Sequence, residues 1–548
     1  MLSFVTRLWN ADSFYRPQCK VTTMIIMVAF YYGFILNYPI VREIFSLSQD
    51  VPDFWFPYTG PLVLFFAFCT IFSLFAIPYI MKPFFVILTL TSSVALYGAE
   101  QFHALFDSTM LENVFETNVS EILFYVNVRS GFYFVVFGVI PSLLLIWVKV
   151  DYRSSIFREL ASRIILMLLG LLGITLIAIT TYKDYASVGR NNHYLNKMII
   201  PGHVYEGYKY VKRNYLTQPL TYRSFGNDAK LLPTENKKPT LVVMVLGETA
   251  RAMNFAENGY QRDTQPYTKN LGFISLHDVA SCGTYTALSV PCMFSNMNRT
   301  NYNKARAYSQ DNAVDIIAKA GVETLWIEND GGDKGVAHNT NKVEIDPTQD
   351  PALCNGETCY DEVMLKPAKT FIEHDDKNKF VVLHTIGSHG PTYFQRFPAQ
   401  MARFAPWCNS KDIEQCTDQE ITNVYDNTLV YTDYFLAQVV KLLQTYSKDY
   451  NVAMMYVSDH GESLGENGLY LHGTPYSIAP KEQRTVPWLL WMPKQYTEQK
   501  QLDVSCVEKA AKQTNLSHDY FFHSLIGFYG VTTQAKNAEL DIFSRCHV

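Results

Sequence analysis

Hydrophobic positions along this chain follow two regimes. Through residue 190 they gather in long unbroken runs, and beyond residue 238 they come in short runs separated by longer amphipathic stretches. The long runs are Thr22–Tyr38, Pro57–Met81, Phe84–Gly98, Gly131–Val148 and Ile164–Thr181. A helix crosses a bilayer with about 20 apolar residues. Most of the runs approach that length, the third only if it extends toward His103. Five such segments in succession predict a transmembrane domain of five helices over residues 1–190, not the buried helices of a soluble core. Arg7, Arg16 and Lys20 precede the first run as in a signal peptide, but no small-residue cleavage site follows, so an uncleaved helix is expected.

Basic residues orient this unit. Beyond the N-terminal arm they follow the second run (Lys82) and the fourth (Lys149, Arg153, Arg158, Arg163), and none occurs from Pro83 to Val128. By the positive-inside rule these clusters are cytoplasmic. Five crossings then place everything after Lys183 outside. Residues 191–238 read as an interfacial linker, because the stretch from His203 to Arg213 alternates tyrosines with basic residues and suits a helix at the headgroup level. An ordinary tether with exposed tyrosines has the same composition.

Composition narrows the class. The 548 residues carry a formal charge of −5 with 48% apolar and 18% charged residues, which excludes extensive disorder and gives no basic face for nucleic acid. Of ten cysteines, Cys19 and Cys69 fall in the membrane part and eight lie beyond it. An even number at close spacing in polar loops reads as disulfides in an oxidising compartment. Chain order suggests Cys282–Cys292, Cys354–Cys359 and Cys408–Cys416, leaving Cys506–Cys546. This agrees with the topology, although the two arguments share no residues.

After Pro239 the alternation predicts an α/β domain with a mostly parallel sheet, whose ligands gather beyond the carboxyl ends of strands. Each short run does end in chemistry: Thr240–Leu246 in Gly247-Glu248-Thr249, Glu323–Ile327 in Glu328 through Lys334, Phe380–Leu383 in His384 through Gly390, and Val452–Val457 in Ser458-Asp459-His460-Gly461-Glu462. Carboxylates and imidazoles beside glycines point to a metal or phosphate site, with donors that suit zinc or manganese. A nucleophile is expected between Ser281 and Cys292, a hydroxyl-rich segment leading into a helix whose N-terminus would face the phosphate. Composition leaves Thr284, Thr286 and Ser289 open.

The stretches VLGETARAMNF, SCGTYTALSVPCMFS, HTIGSHGPTYFQRFP, YDNTLVYTDYF and SDHGESLGENGLYLHG closely resemble the lipid A phosphoethanolamine transferases, which include the colistin-resistance enzymes and belong to the alkaline phosphatase superfamily. The resemblance implies five transmembrane helices in the bacterial inner membrane and an alkaline phosphatase-like periplasmic domain over residues 239–548, acting as a monomer. It implies Thr286 as nucleophile, and zinc held by Glu248, Thr286, Asp459 and His460. His389 and His472 would hold the substrate phosphate or a second zinc, and Lys334 would lie near the phosphoryl group. Asn113 and Glu121 would bind the ethanolamine headgroup. The implied donor is phosphatidylethanolamine and the acceptor a lipid A phosphate. Some relatives carry two cysteines flanking the position of Lys334; here Asp333 and Ala337 stand there, so a looser loop is expected. Two rival enzymes fit less well. A lipoteichoic acid-type phosphoglycerol transferase lacks these motifs and cysteines, and a sulfatase needs a C/S-x-P-x-R motif absent around Thr286.

Overall fold

The computed structural model describes residues 16–48, 55–105, 110–111, 114, 126–152, 155–191, 193–216, 220–233, 238–410, 413–466 and 469–547. Asn113 and Glu121 lie outside the described residues. Two compact units form, one from residues up to 111 together with 126–214, the other chiefly from residues 215–548.

In the first unit, α1 (Val21–Leu36) meets α2 (Tyr38–Leu47) at a bend of 52°. Then come α3 (Phe56–Leu74), α4 (Met81–Phe102), α5 (Val128–Trp147) and α6 (Ile156–Asn191). Among the described residues four helices are long and apolar enough to cross a membrane, five if the bent pair is one span. The second apolar run is longer than its helix. Pro78 has no N–H and disfavours helix in the residue before it, so α3 stops and Phe75–Ile80 form a turn. The third run extends in the helix to Phe102, with His103 as a left-handed cap. Leu168, Leu169, Leu172 and Ile179 of α6 stay more than half exposed, a surface suited to lipid. At the bend Asn37 is fully buried. Its amide donates to Ile200 O at 2.6 Å, and Ile200 N–H donates back to Asn37 Oδ1 at 2.8 Å. Lys82 donates to Ile146 O at 3.1 Å and to Val148 O, closing the opposite end. Residues 202–211 form the helix α7 (Gly202–Val211) with exposed Tyr205 and Tyr208.

The second unit is built on a seven-stranded sheet of β1 (Thr240–Gly247), β2 (Phe273–Ala280), β3 (Glu323–Glu328), β4 (Asn341–Glu344), β5 (Lys379–His384), β6 (Asn451–Ser458) and β7 (Thr485–Trp491). Their spatial order is β2-β7-β6-β1-β5-β3-β4. All pairings are parallel except those of β7, which is antiparallel to β6 and β2. Strands β1, β5 and β6 are buried at every residue, which is why their sequences are unbroken apolar runs and do not alternate. The core on one face joins Val242, Met244, Trp326, Val382, Met455 and Trp488 to the helices α8 (Thr286–Met293) and α10 (Phe521–Tyr529). Between them in sequence lies α9 (Asp418–Thr445), whose Thr417 and Glu420 form a reciprocal cap. Four disulfides, Cys282–Cys292, Cys354–Cys359, Cys408–Cys416 and Cys506–Cys546, take the pairing that chain order suggests.

Candidate active site

The strand ends converge. Leu246 of β1 sits beside Val457 of β6 and His384 of β5, so Glu248, Asp459, His460 and the residues after His384 emerge at one edge. Asp459 and His460 are adjacent, and a regular strand would send them to opposite faces. The chain turns there instead. Asp459 N–H donates to Gly247 O at 3.0 Å, and Asp459 Oδ1 accepts His460 N–H at 2.7 Å. Thr249, next to Glu248, is held at φ 52°, a strained conformation for a β-branched residue.

Thr286 opens α8. Its hydroxyl donates to Glu248 Oε2 at 3.1 Å and lies 3.4 Å from His460 Nε2. The other two candidate hydroxyls are engaged elsewhere. Thr284 donates to Thr474 O at 2.7 Å, and Ser289 donates to Asp459 O at 2.5 Å. The segment is fastened by Cys282–Cys292 and by Cys282 N–H donating to His518 Nδ1 at 3.1 Å. His518 was not evident from sequence, since nothing in LSHDYF marks it.

Glu248, Asp459 and His460 are buried and offer ligand atoms within 4.8 Å of one another. His460 Nδ1 donates to Gly461 O at 2.8 Å, which leaves Nε2 as a lone pair pointing at the carboxylates, 3.4 Å from Glu248 Oε1 and 3.3 Å from Asp459 Oδ2. Those two oxygens have no hydrogen-bond donor. Burial and the facing carboxylate of Asp459 push the Glu248 carboxyl well up, and burial pushes Asp459 up to about 6. Burial also holds His460 well below its usual range, hence neutral. Two dry carboxylates, a neutral imidazole and a hydroxyl fit one divalent cation.

Around this group the rings of His460 and His472 approach to 4.7 Å, and those of His472 and His389 to 5.3 Å. His472 Nδ1 lies 3.3 Å from Glu462 Oε2. The Lys334 ammonium acts electrostatically on Glu248 and on the buried Asp330. Its loop has a different fastening from the absent cysteines. Asp333 accepts Ala337 N–H at 2.8 Å and pairs with Lys342 at 3.0 Å. A further buried carboxylate, Asp361, accepts Ile386 N–H at 2.9 Å, Gly387 N–H at 3.2 Å and the Asn329 amide at 2.8 Å. It thereby shapes the turn that rests on Glu248. Gly387 has φ 48°, and a Cβ there would stand 2.7 Å from Glu248 O. Burial pushes Asp361 up to about 6.

Known proteins share this architecture. The family described as Sulfatase matches residues 240–531, and the one described as Phosphoethanolamine transferase EptA/EptB matches residues 64–215. Phosphoethanolamine transferase EptA of Escherichia coli (strain K12) is 35% identical over 97% of this chain and 98% of its own. Phosphatidylethanolamine transferase Mcr-1 of Escherichia coli is 34% identical over 95% of this chain and 97% of its own. Among solved structures, the integral membrane lipooligosaccharide phosphoethanolamine transferase A from Neisseria meningitidis superposes with a TM-score of 0.93 at 34% identity, covering 97% of this chain and 99% of that one. Matched along nearly its whole length in sequence and in fold, the chain belongs to the EptA phosphoethanolamine transferases of the alkaline phosphatase-like superfamily.

Proposed function

We propose that this enzyme moves phosphoethanolamine from phosphatidylethanolamine to a phosphate of lipid A, through a covalent intermediate on Thr286. The observation that carries this reading is the Thr286 hydroxyl, presented at a helix N-terminus 3.1 Å from Glu248 and beside Asp459 and His460. Glu248, Asp459 and His460, with Thr286, would hold zinc. Bound there, zinc supplies positive charge that favours an ionised hydroxyl and stabilises the phosphoryl oxygens.

The chain's own groups do the rest. Thr286, its hydroxyl proton released to solvent, attacks phosphorus through its oxygen, the bond from phosphorus to the glycerol oxygen breaks, and His389 or His472 gives the departing diacylglycerol its proton. A lipid A phosphate oxygen then attacks the same phosphorus, the bond to Thr286 breaks, and the Thr286 oxygen and the histidine take protons back from solvent. Lys334 and the free N–H groups at the start of α8 balance charge on the phosphoryl oxygens. Asn113 and Glu121 receive the ethanolammonium. The name of the Neisseria relative, with lipooligosaccharide as its substrate, supports a lipid A-bearing acceptor. The basic clusters and the disulfides support an inner-membrane protein whose second unit is periplasmic. An added cationic group lowers the negative charge of the cell surface, so bacteria carrying the enzyme resist cationic peptides such as polymyxin.

Mass spectrometry of lipid A from cells with and without the gene tests this, with a gain of one phosphoethanolamine as the expected result. Modification of another envelope glycan with lipid A unchanged would overturn the acceptor. Labelled phosphatidylethanolamine and phosphatidylglycerol supplied side by side identify the donor. A Thr286→Ala protein that still modified lipid A would remove the nucleophile.

A further inference from the structure

Next to the Thr286 pocket lies a set of donors of which the transfer chemistry uses only Glu248. His384, the last residue of β5, is in register with Glu328, the last residue of β3, and with Leu246 of β1, two residues before Glu248. Asp330 follows Glu328 around the strand end. Three neighbouring strands therefore deliver Glu248, Asp330 and His384 to one place, with ligand atoms within 4.8 Å of one another. His384 and Glu248 are buried, and the Asp330 side chain is only 6% exposed.

The His384 ring is set for a ligand. Glu328 accepts the indole N–H of Trp326 at 2.9 Å and the backbone N–H of Asp330 at 2.7 Å, and it takes His384 Nδ1 at 2.8 Å. A carboxylate gripping one ring nitrogen is the arrangement that orients metal-bound histidines by their other nitrogen. That other nitrogen, Nε2, is buried without a hydrogen-bond partner. Nε2 stands 3.6 Å from Asp330 Oδ2. This is too long for a hydrogen bond but near the roughly 3.3 Å that separates two ligands of a tetrahedral ion at 2.0–2.1 Å.

We propose that Glu248, Asp330 and His384 hold a second divalent cation of the zinc or manganese class, sharing Glu248 with the first pocket, while Glu328 positions the His384 ring. This rests on the reading of Glu248, Asp459 and His460 as the first metal site. The competing occupants are a second proton on His384 and the Lys334 ammonium.

Counting ions separates the possibilities. The full chain in detergent is stripped with chelator and equilibrated by dialysis against zinc or, separately, manganese. Bound metal per chain is then measured by mass spectrometry, and circular dichroism checks the fold of each variant. The wild type should hold two ions of at least one metal. Asp330→Asn, His384→Gln and His460→Gln should each hold one, and Asp330→Asn with His460→Gln none. One ion in the wild type, lost in His460→Gln and kept in both Asp330→Asn and His384→Gln, overturns the second site and leaves the first intact. One ion kept in His460→Gln but lost in His384→Gln overturns the first site. Two ions retained in both Asp330→Asn and His384→Gln also overturn the proposal, because the extra ion then sits elsewhere.

Discussion

Asp361 is a buried carboxylate whose worth is best read through pH. Its carboxyl is raised by burial from the usual 3.8 to about 6. The folded protein therefore holds this proton more tightly than the unfolded chain does. Stability from this group is fully present below about pH 4 and is lost as pH rises through about 6. At 1.36 kcal/mol for each tenfold change in proton affinity, the loss is about 3 kcal/mol. Asp361→Asn has the shape of the protonated acid, and its Oδ1 keeps the donors from Asn329 and Ile386 that Asp361 Oδ1 accepts. Its Nδ2 cannot accept the Gly387 N–H that Asp361 Oδ2 accepts, so the variant should lie about 1–2 kcal/mol below the wild type near pH 4 and, once the wild type has lost about 3 kcal/mol, about 1–2 kcal/mol above it at pH 7.5. Asp361→Ala strands three buried donors, each costing about 1–3 kcal/mol, so it should lose about 3 kcal/mol or more even at pH 4. Denaturant unfolding of the full chain in detergent, followed by tryptophan fluorescence from pH 4 to 8, measures the difference between variant and wild type and so isolates this one group. An Asp361→Asn protein whose stability tracked the wild type at every pH would refute the reasoning.

Other outcomes follow from the same geometry. Thr286→Ala should lower transfer from labelled phosphatidylethanolamine by roughly 10³-fold or more, while Thr286→Ser keeps measurable turnover; equal activity of the two would exclude Thr286 as nucleophile. Gly387→Ala forces a side chain onto Glu248 O in a left-handed backbone, which should cost about 2 kcal/mol or more and cut transfer roughly tenfold, read by thermal unfolding and initial rates. Removing the disulfide between Cys506 and Cys546, 40 residues apart, should cost about 4 kcal/mol by loop entropy, seen as a shift of the denaturant midpoint in the double serine variant. Chelation should lower Tm more at pH 8 than at pH 5.5, because Asp459, pushed up to about 6, is charged and uncompensated only at the higher pH; equal losses would argue against a cation between these carboxylates.

Much of the fold was readable because burial leaves a plain mark. A strand covered on both faces is apolar between its ends, so β1, β5 and β6 announce themselves, and the polar residue that ends each run is where the sheet stops and chemistry begins. Glu248, Asp459 and His384 are found this way. The choice of Thr286 over Thr284 and Ser289 is not written in residue type. It depends on a half-turn of backbone at the start of α8 that sends one hydroxyl to Glu248 and the others to carbonyls. His518 and Asp361 act across long stretches of chain, His518 on Cys282 and Asp361 on Gly387, and local pattern says nothing about such partners. The break after α3 was hidden for the opposite reason, since Phe75 through Ile80 are as apolar as the helix they interrupt and only Pro78 betrays the turn.

The reciprocal hydrogen bonds between Asn37 and Ile200 join positions 163 residues apart. During insertion the first span enters the bilayer long before Ile200 has been synthesised. Until the last span has followed, the Asn37 amide can reach only Tyr32 O, 2.9 Å away in α1. The membrane unit is thus latched late, by a single side chain that marks the moment when the whole bundle is present.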